Sequence, residues 1–126
     1  MRAAYVDSSC LVGIGLGEPG SAALATRLAS FDSLWSSNLL EAEVRSALDR
    51  ERIPDQTERV LAWVSWVLPA RPLTPEIDRV LAAGRLKGAD LWHVASALLM
   101  APAADIAFLT LDTRQKEVAA KLGFAT

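Results

Sequence analysis

The apolar residues of this chain change period repeatedly, from about two to about 3.6 and back, and this alternation restricts the fold more than any other feature. Residues 3–7, "AAYVD", read as a strand, followed by a short helix from Ser8 or Ser9. Pro19 and Gly20 break that helix ahead of a second one over 21–31. "SLWSS" at 33–37 is a short strand, and "NLLEAEVRSALDRE" at 38–51 a strongly amphipathic helix. Pro54 closes that region, and Asp55-x-x-Glu58 has the form of a capping box opening a helix over 56–68. A strand is expected at 70–73, "ARPL", then Thr74 as an N-cap with Pro75 in the first turn of another helix. Gly88 separates that helix from one at 89–101, "IAFLTL" at 106–111 is a strand, and "TRQKEVAAKL" is a final helix stopped by Gly123. Strands alternating with helices predict parallel βαβ units, hence an α/β, three-layer α/β/α sandwich around a central parallel sheet. Links are short and no repeat or low-complexity linker interrupts them, so one domain is expected over 1–126.

A chain of this length buries roughly two-thirds of the surface its unfolded form exposes. With 52% hydrophobic residues it has material for a core without disulfides or structural metal. The single cysteine, Cys10, has no internal partner, which fits a reducing compartment. The first twenty or so residues briefly resemble a signal peptide, but Asp7 interrupts the apolar run and no cleavage pattern follows. "VLAWVSWVLPA" and "LWHVASALLMAPAA" are too short and interrupted to span a bilayer, so a soluble cytoplasmic protein with no membrane partner is expected. The net charge is −2 and no run of Lys or Arg stands out. That weighs against a duplex-DNA binder with a broad basic face. It leaves room for an enzyme that grips nucleic acid locally and takes further positive charge from bound metal.

"GLGEPG" at 15–20 matches the spacing of a dinucleotide-binding loop. In that motif the glycines sit directly at the strand-to-helix turn. Here the strand ends near Asp7, eight residues before Gly15, and Pro19 is a helix breaker. The acid expected about twenty positions on, at the end of a second strand, is missing, because Asp32 precedes that strand. The stretch reads as a helix stop and a turn joining two helices.

In parallel sheets, sites form beyond the carboxyl ends of the strands. Asp7 ends the first strand, and Asp112 lies just past the last strong one, in "FLTLDTRQ". Two acids in one crevice can hold Mg²⁺ or Mn²⁺ through carboxylate oxygens. Each also has a capping role open to it, Asp7 ahead of Ser8 and Asp112 in the box Asp112-x-x-Gln115. Two helix acids strengthen the first possibility. Glu41 stands three after Asn38, in a capping-box position, whereas Glu43 shares a partly apolar stripe with Leu39 and Ala47. A carboxylate on such a stripe is costly to bury unless something positive meets it. Asp90, in "KGADLWHVASAL", opens a helix whose other face is nearly all apolar; interaction with the helix dipole is its structural alternative. Four acids of this kind repel one another, and a divalent cation would relieve the repulsion.

With these residues in view, the chain resembles the PIN-domain ribonucleases, and in size and layout is similar to a VapC-type toxin of a type II toxin–antitoxin pair. The resemblance runs from "YVDSSCLV", with Asp7 and Ser9, through "SSNLLEAEVRSAL", where a six-residue spacing from Ser37 selects Glu43. It continues through "LKGADLWHVASAL" with Asp90 to "FLTLDTRQKEVAAKLGF" with Asp112 and Thr110. It implies Mg²⁺- or Mn²⁺-dependent endonucleolytic cleavage of RNA and inhibition by a cognate antitoxin whose tail occupies the acidic groove. Asp7 and Asp90 are then the direct metal ligands, with Glu43 and Asp112 completing the set. Arg85, Lys87 and Arg114 flank two of the acids and hold RNA phosphates or an antitoxin carboxylate, unless they are simply solvated surface.

His93, three after Asp90, reads more readily as a packed or exposed helix histidine than as a site residue, and Cys10 as buried and inert. Trp63 and Trp66 lie near one face of the expected 56–68 helix; these two, with Trp35 and Trp92, are assigned to the core. The surplus of apolar surface suits a homodimer, as the resemblance implies. Two other readings stand beside the nuclease. One is a PIN-like module that binds partners without turnover. The other is an aspartyl-phosphate phosphatase, whose chemistry needs a second acid where this chain has Ser9.

Overall fold

The computed structural model describes residues 2–126, so residue 1 of the expected domain lies outside the described residues. Four parallel strands form one sheet: β1 (Ala3–Val6), β2 (Ser33–Ser37), β3 (Val64–Val67) and β4 (Ile106–Leu109), in the order β3-β2-β1-β4. Among the described residues, seven α-helices connect and cover them: α1 (Ser8–Gly15), α2 (Ser21–Ala29), α3 (Leu39–Arg50), α4 (Thr57–Leu61), α5 (Thr74–Ala83), α6 (Gly88–Met100) and α7 (Thr113–Leu122). The result is the expected three-layer α/β/α sandwich.

Strand alternation separates the two layers. Ala4 and Val6 of β1, with Ala107 and Leu109 of β4, face a core shared with Cys10 and Leu11 of α1, Leu40, Val44 and Leu48 of α3, and Val60 of α4. Tyr5, Ile106 and Phe108 point the other way, into a second core with Val80, Val94 and Val118 of α5, α6 and α7. Each face thus receives every second strand residue, as the pleat requires. The chain runs outward from β1 through β2 to β3, then returns to place β4 on the other side of β1, at Ala3↔Ile106 register. The reversal between β1 and β4 opens a crevice at their carboxyl ends. Asp7 and Asp112 both sit there, as the residues ahead of α1 and α7.

The structure corrects several local expectations. Residues 56–68 are not one helix: α4 ends at Leu61 and "VSWV" is β3, paired with β2 at Leu34↔Val64. Residues 70–73 are not a strand, and Leu73, not Thr74, precedes α5 at its N-cap. Gly88 belongs to α6, the break before it spanning 84–87. Neither Asn38 nor Asp55 caps a helix with its side chain. Glu41 and Glu58 both meet Arg45, at 2.8 and 2.7 Å, an ion pair that draws Glu41 away from the cap. The glycines at 15–20 behave as punctuation: α1 ends at Gly15, and Gly17 and Gly20 take left-handed backbone with φ of 65° and 85°. Such backbone disfavours any side chain, which accounts for glycine at those two positions.

Candidate functional site

Asp7 anchors the crevice. Its amide donates to Leu109 O at 2.9 Å, tying the end of β1 to β4, and its carboxyl caps α1 by accepting from Ser9 N at 3.1 Å. The residue is only 4% exposed, so the donors around its carboxylate can be counted. Besides Ser9 N, Gln115 Nε2 reaches Oδ1 at a long 3.4 Å. Thr110 Oγ1 lies 3.4 Å from Oδ2, but its single proton goes to Gln115 Oε1 at 2.6 Å. A carboxylate accepts about four hydrogen bonds, so this buried charge is under-supplied. Among the described residues no Lys or Arg pairs with it, and His93 Nε2 stands 3.9 Å away.

Asp112 caps α7, accepting from Gln115 N at 2.7 Å. The other half of the expected capping box does not form. Gln115 is fully buried and turns inward to Thr110, Asp7 and the Asp90 carbonyl, while Asp112 N donates to Thr110 Oγ1 at 3.0 Å. Ser9 Oγ stands 3.3 Å from Thr110 Oγ1 and accepts from Leu111 N at 3.0 Å. Ser9 and Thr110 therefore tie the turns after β1 and β4 together beneath the acids.

Asp90, half-buried in the first turn of α6, reports the proximity of the others. Its carboxyl is held above the usual carboxylate range, first by burial, then by the negative charges of Asp7 and Asp112, with Glu43 adding and His93 opposing. Glu43 projects from α3 and accepts from His93, whose Nε2 lies 2.5 Å from Oε1. Asp90 thus feels the charge of the other three acids, whereas Glu41 is occupied by Arg45. Among the described residues no three His, Cys, Asp or Glu side chains make a ready cation cage.

A cleft of about 440 Å³ opens beside two of the acids, lined by Arg85, Leu86, Lys87, Asp90, Asp112 and Arg114. Arg114 Nε donates to Arg85 O at 3.3 Å, which holds the guanidinium at the rim. A more apolar cleft of about 580 Å³ lies between the end of α2, the start of β2 and Trp63, and none of the acids lines it. Volume therefore does not mark the polar site, and the convergence of charge does.

Three residues at the crevice escaped the sequence reading. His93 is wholly buried, bonded through Nε2 to Glu43 and through Nδ1 to Tyr5 Oη at 2.7 Å. Gln115 joins the two strand ends, and Tyr5 lies behind His93. His93 and Gln115 each stand three residues after an acid on the same helix, and that spacing was the available signal. Tyr5 carried none. Cys10 is buried as expected, its thiol pushed up to about 12 by burial and by the Asp7 charge, which disfavours the reactive thiolate. Trp63 departs from its expected core position and is 37% exposed.

No helix among the described residues is long and apolar enough to cross a membrane. No curated protein and no solved structure matches the chain. The family model of the PIN domain matches residues 4–121, from β1 through α7, and so takes in all four acids. The chain belongs to the PIN domain family.

Proposed function

We propose that this PIN-domain protein is a Mg²⁺- or Mn²⁺-dependent endoribonuclease, acting in the cytoplasm as the toxin of a toxin–antitoxin pair. PIN domains are generally nucleases. The observation that carries the finer reading is the nearly buried, under-supplied carboxylate of Asp7, close enough to three further acids to raise the Asp90 carboxyl. Hard oxygen donors with sparse competing partners fit a divalent cation. Mg²⁺ takes one or two carboxylates directly and keeps several waters, so a complete protein cage is not required. Asp7 and Asp90 are the proposed direct ligands, with Glu43 and Asp112 holding its waters or completing its shell. A cation bound there supplies a water of lowered pKa and neutralises charge on the scissile phosphate. Arg85, Lys87 and Arg114 along the cleft receive the flanking RNA phosphates, or an acidic antitoxin tail in their place. Ser9 and Thr110 keep the two strand ends in register. A homodimer, as the family resemblance implies, would cover part of the exposed apolar surface, to which Trp63, Leu68, Leu81 and Leu111 contribute.

The test compares Asp7→Asn with Glu41→Gln on RNA and single-stranded DNA oligonucleotides, with Mg²⁺, Mn²⁺ or chelator. Asn is nearly isosteric with Asp and an equally good N-cap, so the fold is retained. Asp7→Asn is expected to lose RNA cleavage, and toxicity on expression, by orders of magnitude, and Glu41→Gln to keep both. An Asp7→Asn protein that cuts at the parental rate, with contaminating nuclease excluded, overturns the assignment. Binding of RNA without cleavage under every metal condition favours a module without turnover.

A further inference from the structure

His93 occupies an unusual position: the ring is fully buried, yet both nitrogens are engaged and one faces the acids. We infer that His93 is a positioning residue which, oriented by Tyr5, holds Glu43 beside Asp7 and thereby sets the affinity of the acidic cluster for a divalent cation. This rests on the metal-dependent reading above and assigns a further residue pair to it.

Contacts at both ring nitrogens fix the orientation. Ser37 N donates to Tyr5 Oη at 3.0 Å, and the same oxygen lies 2.7 Å from His93 Nδ1. A carboxylate only accepts, so Nε2 carries the proton directed at Glu43 Oε1. Tyr5 cannot swing away. It is wholly buried, stacked on Phe108 at 5.4 Å and 6°, and edge-on to His93 at 5.8 Å. Burial also raises the Tyr5 hydroxyl above its ordinary value, keeping the proton in place.

Glu43 needs such a guide. Its side chain is 28% exposed on α3, and among the described residues its one hydrogen bond is to His93. Without it, the carboxylate of a long, flexible side chain would be free to sample solvent. With it, one oxygen is pinned on the side of Asp7, because the same Nε2 lies 3.9 Å from Asp7 Oδ1. Partners that orient a ligating side chain typically matter by about 10–100-fold in metal affinity or activity.

Mn²⁺ binding to the metal-free protein, followed by electron paramagnetic resonance or calorimetry, provides the test, with folding checked by circular dichroism. His93→Phe fills the space but loses the donor, and is expected to weaken Mn²⁺ binding by about tenfold or more. His93→Gln returns an N–H toward Glu43 and should restore most of the affinity. Tyr5→Phe removes one oxygen and keeps the stacked ring; it should weaken binding while leaving the protein folded. Imidazole ¹⁵N spectra of the metal-free wild type should show a protonated Nε2. Folded His93→Phe and Tyr5→Phe proteins that bind Mn²⁺ as tightly as wild type overturn the positioning role alone, as does a ring without a proton on Nε2. A wild type with no affinity for Mn²⁺ or Mg²⁺ overturns the metal-dependent reading itself.

Discussion

Asp90 has a carboxyl raised first by burial and then by Asp7 and Asp112, so its ionisation works against the fold. A carboxyl whose folded value lies above its unfolded value binds more protons in the folded state across the interval between them. Stability from this group therefore falls as pH rises through that interval, and the penalty is complete above it. Asp90→Asn in metal-free protein should raise stability at neutral pH slightly, the effect being kept small because the partly open carboxyl is screened by solvent. The gain should vanish below the usual carboxylate range, as urea unfolding at several pH values would show. A gain that persists at acid pH would point to packing instead of charge. The acids themselves were legible in the sequence, since Asp7 and Asp112 stand at strand ends and Glu43 and Asp90 on helix faces that should turn inward. Their partners were not. His93, Tyr5 and Gln115 act through contacts between elements up to 108 positions apart, and no local pattern encodes such contacts.

Three strands and most helices were equally legible, because β1 and β4 are short apolar runs, β2 is a short run bounded by polar residues, and α3 and α7 keep one apolar face. β3 was not. In "VLAWVSWV", Trp63 and Trp66 fit helical spacing while Val64 and Trp66 fit a strand, and pairing with β2 decides between them. The capping boxes at Asn38 and Asp55 failed for a related reason: Arg45 offers Glu41 and Glu58 a charged partner in preference to a backbone amide. Packing between elements also explains a glycine that carries no motif. Gly84 ends α5 against α7, and a Cβ there would stand 2.8 Å from Val118 Cγ2 and 3.1 Å from Arg114 Nη2. Val118 is itself fully buried and cannot retreat. Gly84→Ala should cost about 1–3 kcal/mol, the usual range for overpacking, and displace Arg114 from the cleft rim. Guanidinium unfolding would read the first effect, and loss of RNA affinity in the folded variant the second. An alanine protein as stable as wild type would mean that α5 and α7 separate more easily than their contacts indicate.

The four acids come from different parts of the molecule: the end of β1, α3 on one face of the sheet, α6 on the other, and the turn after β4. A cation shared among them would link both helical layers to the sheet, so its binding should oppose global unfolding and not merely quiet a loop. At about ten times its Kd, a ligand specific to the folded state adds roughly 1.4 kcal/mol. For a domain of this size that corresponds to a rise of a few degrees in Tm. The rise should shrink as pH falls, because protons compete with the cation for the carboxylates. Asp7→Asn should lose most of it, although the metal-free variant melts no lower than wild type, since one of four mutually repelling charges has been removed. Glu41→Gln, whose carboxylate is committed to Arg45 outside the crevice, should respond to metal as wild type does. Melting curves in millimolar Mg²⁺ or Mn²⁺ at neutral pH, run on all three proteins, check the pattern. Curves indifferent to either metal, or an Asp7→Asn protein stabilised as strongly as its parent, would show that the acids do not act as one cation site.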